Sequence, residues 1–359
     1  MVPADESHLV PSPLPDELKD WDNIEDESLF RKPWEHYELF LAQHGYTLLG
    51  APAYDDPQVF ERIPRRPALN PFFPKDDEDF VHRPVFMWEE VEYLRLPQFF
   101  QPRATLYLGL DKVGRQVLFK AVTRDSAEYK VLSHLRSHNL RQDPRNHTIP
   151  ATLVSAGDMV FVIQPYWGRC WDWPSPDSVT ARFKIVFQLL EGLVFMHENR
   201  VGHGDIHREN ILWNHSDCRG WTTGEHDPPP GYLFHSTFDF RMAYIDFGCS
   251  TLLEPGQSRM VPSNSRPPSD FAAPEQTAEG DSYDVFAADV YNLGKVLQWE
   301  LEEALKHDDP VARETVESAP DYLDLLRSMT QEDPARRPSS LEAHITFRAI
   351  FKNWELTRS

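Results

Sequence analysis

The alternation of apolar and polar residues divides the chain into a strand-rich region and a later, helix-rich region. The alternating segments RATLYLGLD and RQVLFKAV flank Lys112-Val113-Gly114, a pattern that predicts a β-hairpin. A short helix is predicted in SAEYKVLSHLRSH, and two more strands are predicted in HTIPATLVSA and DMVFVIQPY. In TARFKIVFQLLEGLVFMHENR, apolar residues recur at helical spacing and predict a long, packed helix. Strands followed by helices predict an α+β fold with a small β-rich lobe and a larger, mainly helical lobe.

The N-terminal part of the chain differs from the rest in composition and in predicted structure. Residues 1–32 are rich in Pro, Asp and Glu and are predicted to be disordered. Pro33 opens a predicted short helix that Gly45 closes, and its apolar stripe is expected to dock on the main domain. An acidic stretch punctuated by prolines follows and is predicted to be irregular. We therefore divide the chain into a disordered terminus, an N-terminal extension over 33–88 and a main domain over 89–356. The stripe of the short helix consists of Trp34, Tyr37, Phe40 and Leu41.

Composition narrows the possible partners and compartment. The formal net charge of −21 argues against nucleic acid or an anionic membrane as the main partner, because either surface would repel the chain. The three cysteines have no spacing typical of a disulfide framework or a zinc site. The first residues lack a signal pattern, and no apolar run approaches the ~20 residues of a membrane span. We expect a cytoplasmic protein with reduced thiols.

Candidate chemistry begins with the segment HGDIHRENILWN, which lies between two apolar segments. Phosphoryl transfer needs an acceptor for the proton of the attacking hydroxyl, and an oxygen ligand that holds Mg²⁺ against the phosphates. Asp205 can fill the first role and Asn210 the second. Asp and Asn are also ordinary loop residues, so this spacing alone does not decide between catalysis and a turn.

Two further segments add groups of the same chemistry. RMAYIDFGCS predicts a strand that ends at Asp246, whose carboxylate can bridge Mg²⁺ to phosphates, while Gly248 allows a sharp backbone turn. Upstream, Lys120 lies on a predicted strand, where a fixed ammonium group can pair with the α- and β-phosphates. The sequence therefore offers one cation and three oxygen-bearing side chains suited to a nucleotide.

The order of these motifs resembles that of the protein kinase fold family over roughly residues 90–352. That resemblance implies a two-lobed kinase fold, ATP and Mg²⁺ as cofactors, and a protein substrate. It also implies that Glu275 and Arg337 form a buried ion pair, and that Asp289 begins a helix and braces the catalytic loop. The residues that match the family pattern are, in chain order, Lys120, Glu128, His203-Gly204-Asp205 with Asn210, Asp246-Phe247-Gly248, Ala273-Pro274-Glu275, Asp289 and Arg337.

The resemblance also places the nucleotide. The segment VFVIQPYWG would form the connection between the lobes, with the strand ending near Ile163 as the gatekeeper. Backbone groups of Gln164 and Tyr166 would then face adenine, and Pro165 has no N–H to offer there. The implied catalytic residues are Asp205, Lys120, Asn210 and His207; the implied nucleotide-binding residues are Lys120, Glu128, Gln164, Tyr166 and Asp246; the implied metal ligands are Asn210 and Asp246.

Two departures from the family pattern concern nucleotide binding. The glycine-rich phosphate loop is missing, since the chain reads LPQFFQPRATLYLGLD and Gly109 falls within a predicted strand. Bulky side chains keep backbone amides from approaching phosphates closely. Glu128 also follows Lys120 at a shorter spacing than in the family. Asp125-Ser126-Ala127-Glu128 fits a helix capping box as well, so Glu128 pairs either with Lys120 or with its own helix N-terminus.

Three departures concern the catalytic loop and the segment after it. His207 stands where protein kinases usually carry Lys, and HGDIH resembles the small-molecule kinases of the aminoglycoside and choline type. Gly204 stands where many protein kinases carry an arginine that needs a phosphate on the activation segment, here the residues between Gly248 and Ala273, so we expect activity without phosphorylation there. The Ser and Thr residues of this segment, Ser250 among them, are expected to be solvated loop residues. The long 214–240 insertion reads as a surface excursion, with a docking role as the alternative.

Three functions remain open on the sequence. The first is a phosphotransferase acting on protein Ser/Thr, favoured because Lys120, Asp205, Asn210 and Asp246 are all present. The second is a pseudokinase that acts as a binding or scaffold module, favoured by the lost glycine-rich loop. The third is a small-molecule kinase, favoured by His207.

Overall fold

The computed structural model describes residues 21, 24, 30–48, 104–112, 116–169, 176–214, 240–263, 269–277 and 282–358. The predictions for most of residues 1–32, for the acidic stretch and for most of the 214–240 insertion lie outside the described residues. The chain divides into two compact units. The first contains Met1–Tyr129 and Pro150–Trp167, and the second contains Lys130–Ile149 and Gly168–Ser359.

The first unit is built on a five-stranded antiparallel sheet with strand order β1-β2-β3-β5-β4. The predicted hairpin is confirmed, because β2 and β3 pair from Leu106–Lys120 to Leu110–Gln116. A helix, α1, precedes the sheet, and a second helix, α2, follows β3. The elements are α1 (Arg31–Gln43), β1 (Thr47–Leu48), β2 (Leu106–Leu110), β3 (Gln116–Thr123), α2 (Ala127–Leu135), β4 (Thr152–Ala156) and β5 (Met159–Pro165).

Helix α1 buries its apolar stripe in the core of this unit. The Trp34 ring lies 5.5 Å from the Tyr107 ring and 5.6 Å from the Phe161 ring, measured between centroids. Its indole N–H donates a hydrogen bond of 2.6 Å to the Ala104 carbonyl, which satisfies the polar atom of a fully buried side chain. The helix is therefore part of the small core, together with the sheet it covers.

Two further features tie the N-terminal region to the same sheet. Trp21 lies within the segment predicted to be disordered, yet it is buried with its ring 5.7 Å from Trp34. Strand β1 pairs with β2 and brings the Thr47 carbonyl oxygen close to Gly109. A Cβ atom at Gly109 would lie 2.6 Å from that oxygen and 2.3 Å from a Phe119 ring carbon. Only glycine fits at this crossing.

The second unit is mainly helical, as predicted for the larger lobe. Its core surrounds Phe183 of the long helix, whose ring contacts Tyr322, Phe347 and Trp354 at centroid distances of 5.5, 5.4 and 5.5 Å. The long helix begins where Ser178 accepts a hydrogen bond from the Ala181 N–H. The helices are α3 (His138–Arg141), α4 (Val179–Glu198), α5 (Pro274–Thr277), α6 (Val285–Lys306), α7 (Pro310–Ser318), α8 (Pro320–Met329) and α9 (Ser340–Leu356).

Short strands in the second unit position the loops that carry the candidate chemistry. They form a three-stranded sheet of order β6-β8-β9 and two antiparallel pairs, β7 with β10 and β11 with β12. The strands are β6 (Gly168–Arg169), β7 (Val201–Gly202), β8 (Ile211–Trp213), β9 (Met242–Tyr244), β10 (Thr251–Leu252), β11 (Met260–Pro262) and β12 (Ser282–Asp284). Within the described part of the chain, no helix combines the length and the apolar character needed to cross a membrane.

Candidate active site

The first unit carries a lysine–glutamate ion pair. Lys120 lies on β3 between Leu106 of β2 and Val162 of β5, so its backbone is fixed on both sides. Its Nζ atom is 2.6 Å from Oε2 of Glu128, whose side chain is almost fully buried. At the start of the same helix, the Ser126 hydroxyl accepts a hydrogen bond from the N–H of Tyr129. The structure thus shows the pairing with Lys120 that the sequence left open.

Strand β5, which leads into the predicted nucleotide hinge, ends later than predicted. Strand β5 continues through Pro165, which pairs with Val117, whereas the sequence predicted an end near Ile163. Pairing with β4 does stop at Ile163, so among the described strands the residues beyond it pair with β3 alone. Proline is tolerated where a strand lies at the edge of a sheet, and this end of β5 has that position relative to β3 and β4. Gln164 is buried within this last part of the strand, and Tyr166 follows it half-buried.

The loop that the resemblance implies to be catalytic, called the catalytic loop, spans residues 203–210 and joins β7 to β8 in the second unit. Asp205 lies in its middle, and Asn210 ends a short 3-10 turn just before β8. The Asn210 side-chain N–H group donates to the Asp205 carbonyl at 3.0 Å and to the Asp205 carboxylate at 3.4 Å. These bonds orient the amide, so its oxygen is the atom with which Asn210 can bind a cation.

A buried histidine stabilises this loop through hydrogen bonds. His203 is fully buried, and burial lowers the pKa of its imidazole, which therefore stays neutral. Its Nε2 atom donates to the Ile245 carbonyl at 3.0 Å, and its Nδ1 atom accepts from the Asp205 N–H at 3.3 Å. One neutral tautomer satisfies both contacts.

Asp289 braces the loop as the resemblance implied. Its carboxylate accepts hydrogen bonds of 2.8 Å from the backbone N–H groups of His203 and Gly204. The ring of His197 lies 3.1 Å from the same carboxylate, and the Asp289 side chain is fully buried. The prediction that this residue begins a helix is wrong, because α6 begins at Val285, after the Asp284 side chain caps its N-terminus. Asp289 therefore lies in the second turn.

Asp246 follows β9 in an unusual backbone conformation. Its φ of 60° and ψ of 73° lie in the left-handed region, which costs free energy for a residue with a side chain. The Asp246 carboxylate accepts a bond from the Gly248 N–H at 3.3 Å, while Phe247 is fully buried with its ring 5.1 Å from His203. The Ile245 N–H also donates to the Asn210 carbonyl, which joins this segment to the catalytic loop.

His207 and Cys249 contact the same carboxylate of Asp205. The Nε2 atom of His207 is 3.8 Å from Asp205 Oδ2, and its Nδ1 atom accepts from the Glu209 N–H. The thiol of Cys249 is also 3.8 Å from Asp205 Oδ2 and donates to it. The sequence did not single out Cys249 as a neighbour of Asp205, because only the fold brings the start of the activation segment to this loop.

Ser250 is a second residue whose contact with the catalytic loop the sequence did not predict. The prediction that it is a solvated loop residue is wrong, because its side chain is buried and its hydroxyl donates to the His203 carbonyl at 2.8 Å. Strand β10 then continues the contact by pairing with β7. No local sequence pattern distinguishes this serine from the exposed Ser258.

The predicted ion pair of the helical unit is confirmed. Two guanidinium nitrogens of Arg337 bind the two carboxylate oxygens of Glu275 at 2.5 and 2.8 Å. The Arg337 side chain has no exposed surface and also donates to the carbonyl of Ala287. A bidentate pair with further hydrogen bonds satisfies the buried charge, so it fixes the segment that carries Glu275.

The oxygen donors of the second unit suit a hard cation. Asn210 and Asp246 supply an amide oxygen and a carboxylate, and Mg²⁺ binds to proteins through one or two such groups with phosphates and waters completing the shell. Within the described ranges, no group of three or more His, Cys, Asp or Glu could hold a metal ion by itself. An amide oxygen and a carboxylate are a donor set that fits Mg²⁺ when phosphates and waters supply the remaining ligands.

Comparison with known proteins gives the same assignment. Residues 175–347 match the family model described as the protein kinase domain. Over 160 residues the chain is 29% identical to the serine/threonine-protein kinase chk1 of Schizosaccharomyces pombe. That match covers 45% of this chain and only 25% of the relative's own length. Together with the α+β fold and the ordered motifs, these matches support the resemblance to the protein kinase-like superfamily.

Proposed function

We propose that this protein is a phosphotransferase that moves the γ-phosphate of Mg-ATP to a Ser or Thr hydroxyl of a protein. The observation that carries the proposal is the hydrogen bonding of Asn210 to both the carbonyl and the carboxylate of Asp205. This contact fixes a proton acceptor beside a cation ligand, which is the pairing that phosphoryl transfer needs. Similarity to a serine/threonine-protein kinase supports the choice of acceptor.

Asp205 would act as the acceptor for the proton of the attacking hydroxyl. The hydroxyl oxygen would form a bond to the γ-phosphorus as the bond to the β–γ bridging oxygen breaks, and ADP would leave with that oxygen. The proton of the hydroxyl would pass to the Asp205 carboxylate. His207, with Nε2 close to the same carboxylate, would donate a hydrogen bond to the γ-phosphate.

The residues implied by the family resemblance would each bind a part of Mg-ATP. Lys120, kept in place by Glu128, would pair with the α- and β-phosphates. Backbone groups of Gln164 and Tyr166 would bind adenine. Asn210 and Asp246 would hold Mg²⁺, which neutralises charge on the phosphates when it is bound.

The buried ion pair between Glu275 and Arg337 supports a protein as the substrate rather than a small molecule. Both residues belong to the part of the family pattern that resembles protein kinases, and their bidentate contact fixes the end of the activation segment. A small-molecule kinase stays the alternative that His207 favours. The partners named here, the absence of nucleic-acid and membrane partners, and the cytoplasmic location stay predictions from the sequence.

A binding or scaffold module is the second candidate function, and one observation favours it. Gly109 serves the close approach of β1 and the Phe119 ring, so it supplies no open backbone for a phosphate. Residues 49–105, which lack a glycine-rich motif, connect β1 to β2, the position of the phosphate loop in the family. Without a glycine-rich loop, the protein would bind a nucleotide weakly.

Nucleotide binding separates the two candidates. We would measure the melting temperature of the wild-type protein with millimolar ATP in the presence and absence of Mg²⁺, because a ligand that binds only the folded state raises that temperature. A phosphotransferase is expected to show a rise that needs both ATP and Mg²⁺. A melting temperature that neither reagent changes would favour the scaffold function.

A further inference from the structure

Gln276 connects the end of the activation segment to the catalytic loop. Its side-chain N–H group donates a hydrogen bond of 3.0 Å to the Gly204 carbonyl, 72 residues earlier in the chain. Its side-chain oxygen accepts a bond of 2.8 Å from the Ala273 N–H. Both ends of the carboxamide are therefore used, and the second bond orients the first.

The carbonyl that Gln276 binds belongs to the peptide group that joins Gly204 to Asp205. The other edge of this peptide group is also held, since the Asp205 N–H donates to Nδ1 of His203 at 3.3 Å. A peptide group bound at its carbonyl and at its N–H cannot rotate without breaking a bond. The position of the Asp205 backbone is therefore set by two side chains, that of the neighbouring His203 and that of the distant Gln276.

The backbone at Gly204 leaves no room for another kind of contact. Its φ is +76°, and a Cβ atom would lie 2.8 Å from the Cys249 carbonyl oxygen. An arginine at this position would need a different backbone, because a side chain is strained at this φ and collides with the activation segment. The arginine–phosphate contact that many protein kinases use is thus excluded by shape as well as by sequence.

We propose that Gln276 is a positioning residue for Asp205, an uncharged link that holds the end of the activation segment on the catalytic loop without a phosphate. The proposal rests on the proposed phosphotransferase function. The start of the segment is already fixed, because the buried Ser250 hydroxyl binds the His203 carbonyl and β10 pairs with β7. Gln276 supplies the corresponding contact at the other end.

The matched test is Gln276→Glu in protein made free of phosphate. The two side chains have the same shape, and a carboxylate can still accept from the Ala273 N–H. It cannot donate to the Gly204 carbonyl and instead sets an oxygen against it. We expect kcat for phosphate transfer to fall about tenfold, with KM for ATP unchanged, because only the Asp205 backbone is released. Gln276→Met removes both bonds and should lower kcat at least as much.

Thr277→Val is the control variant. Thr277 belongs to the same short helix, and its hydroxyl donates only to the Pro274 carbonyl within that helix, so transfer should be unchanged. Hydrogen exchange of the Asp205 amide is the second measurement, and it should be faster in Gln276→Glu than in the wild type or Thr277→Val. If the wild type transfers no phosphate, the proposed function fails while hydrogen exchange still decides the link. Unchanged exchange, or unchanged kcat in an active enzyme, would overturn the role of Gln276.

Discussion

Lys120 and Glu128 form an ion pair whose Nζ and Oε2 atoms are 2.6 Å apart. The pair forms although Glu128 follows Lys120 at a shorter spacing than in the protein kinase family. The pair joins β3 to the first turn of α2, and the glutamate is almost fully buried while the lysine keeps part of its side chain exposed. A buried carboxylate needs its cation, so the lysine ammonium is held at a fixed place on the sheet.

Lys120→Met should therefore lower both stability and nucleotide affinity. We expect the free energy of unfolding to fall by about 1–3 kcal/mol, because the Glu128 carboxylate loses a charge-assisted hydrogen bond. Chemical denaturation measures the first effect, and titration with Mg-ATP measures the second. Lys130→Met, at an exposed position of the same helix, is the control and should change neither quantity.

Arg337→Ala should cost about 3–5 kcal/mol of unfolding free energy, because the largely buried Glu275 carboxylate would lose both of its bonds to the guanidinium. Arg336→Ala is the matched control at the preceding, exposed position and should cost little. Denaturant titration of both variants measures the difference. Equal losses in the two variants would show that the ion pair does not stabilise the helical unit.

Ser250→Ala should destabilise the second unit, whereas Ser258→Ala should not. The first substitution removes a buried hydroxyl and its bond to the His203 carbonyl, which costs about 1–2 kcal/mol. Ser258 is exposed, and its hydroxyl accepts a hydrogen bond from the nearby Met260 N–H. Thermal unfolding of the two variants checks this ranking, and the reverse order would contradict the contact at Ser250.

Asp246→Asn should remove the Mg²⁺-dependent part of the stabilisation by ATP. Asparagine tolerates the left-handed backbone at this position and can still accept from the Gly248 N–H, so the fold should be retained. The lost charge weakens binding of a hard cation. Melting temperatures with ATP, with and without Mg²⁺, test this. Asp270→Asn, which changes an exposed carboxylate, should behave like the wild type, and an equal response of Asp246→Asn would contradict its role.

The periodic elements and the motif order could be predicted from the sequence. The long α4 helix follows from its apolar spacing, and the hairpin of β2 and β3 from its alternation. The pair of Glu275 with Arg337 and the contacts of Asp289 were implied by the family resemblance and are confirmed. The catalytic and binding roles of the site residues stay predictions.

The remaining features depend on tertiary contacts that leave no local pattern. Trp21 is a single apolar residue in an acidic, proline-rich segment, so composition predicted disorder where one ring is in fact buried. The strand through Pro165 is possible only because β4 ends earlier. Ser250 and Gln276 bind backbone carbonyls far away in the sequence, and neither residue type by itself predicts such a contact.

The most direct test of the central claim is transfer of labelled γ-phosphate from Mg-ATP to protein Ser/Thr by phosphate-free wild-type protein and by Asp205→Asn. The variant keeps the shape of the side chain and loses the proton acceptor. We predict transfer by the wild type and a rate about 10²–10⁴-fold lower in the variant, the range typical of a general base. No transfer by the wild type, or equal transfer by both proteins, would contradict the account.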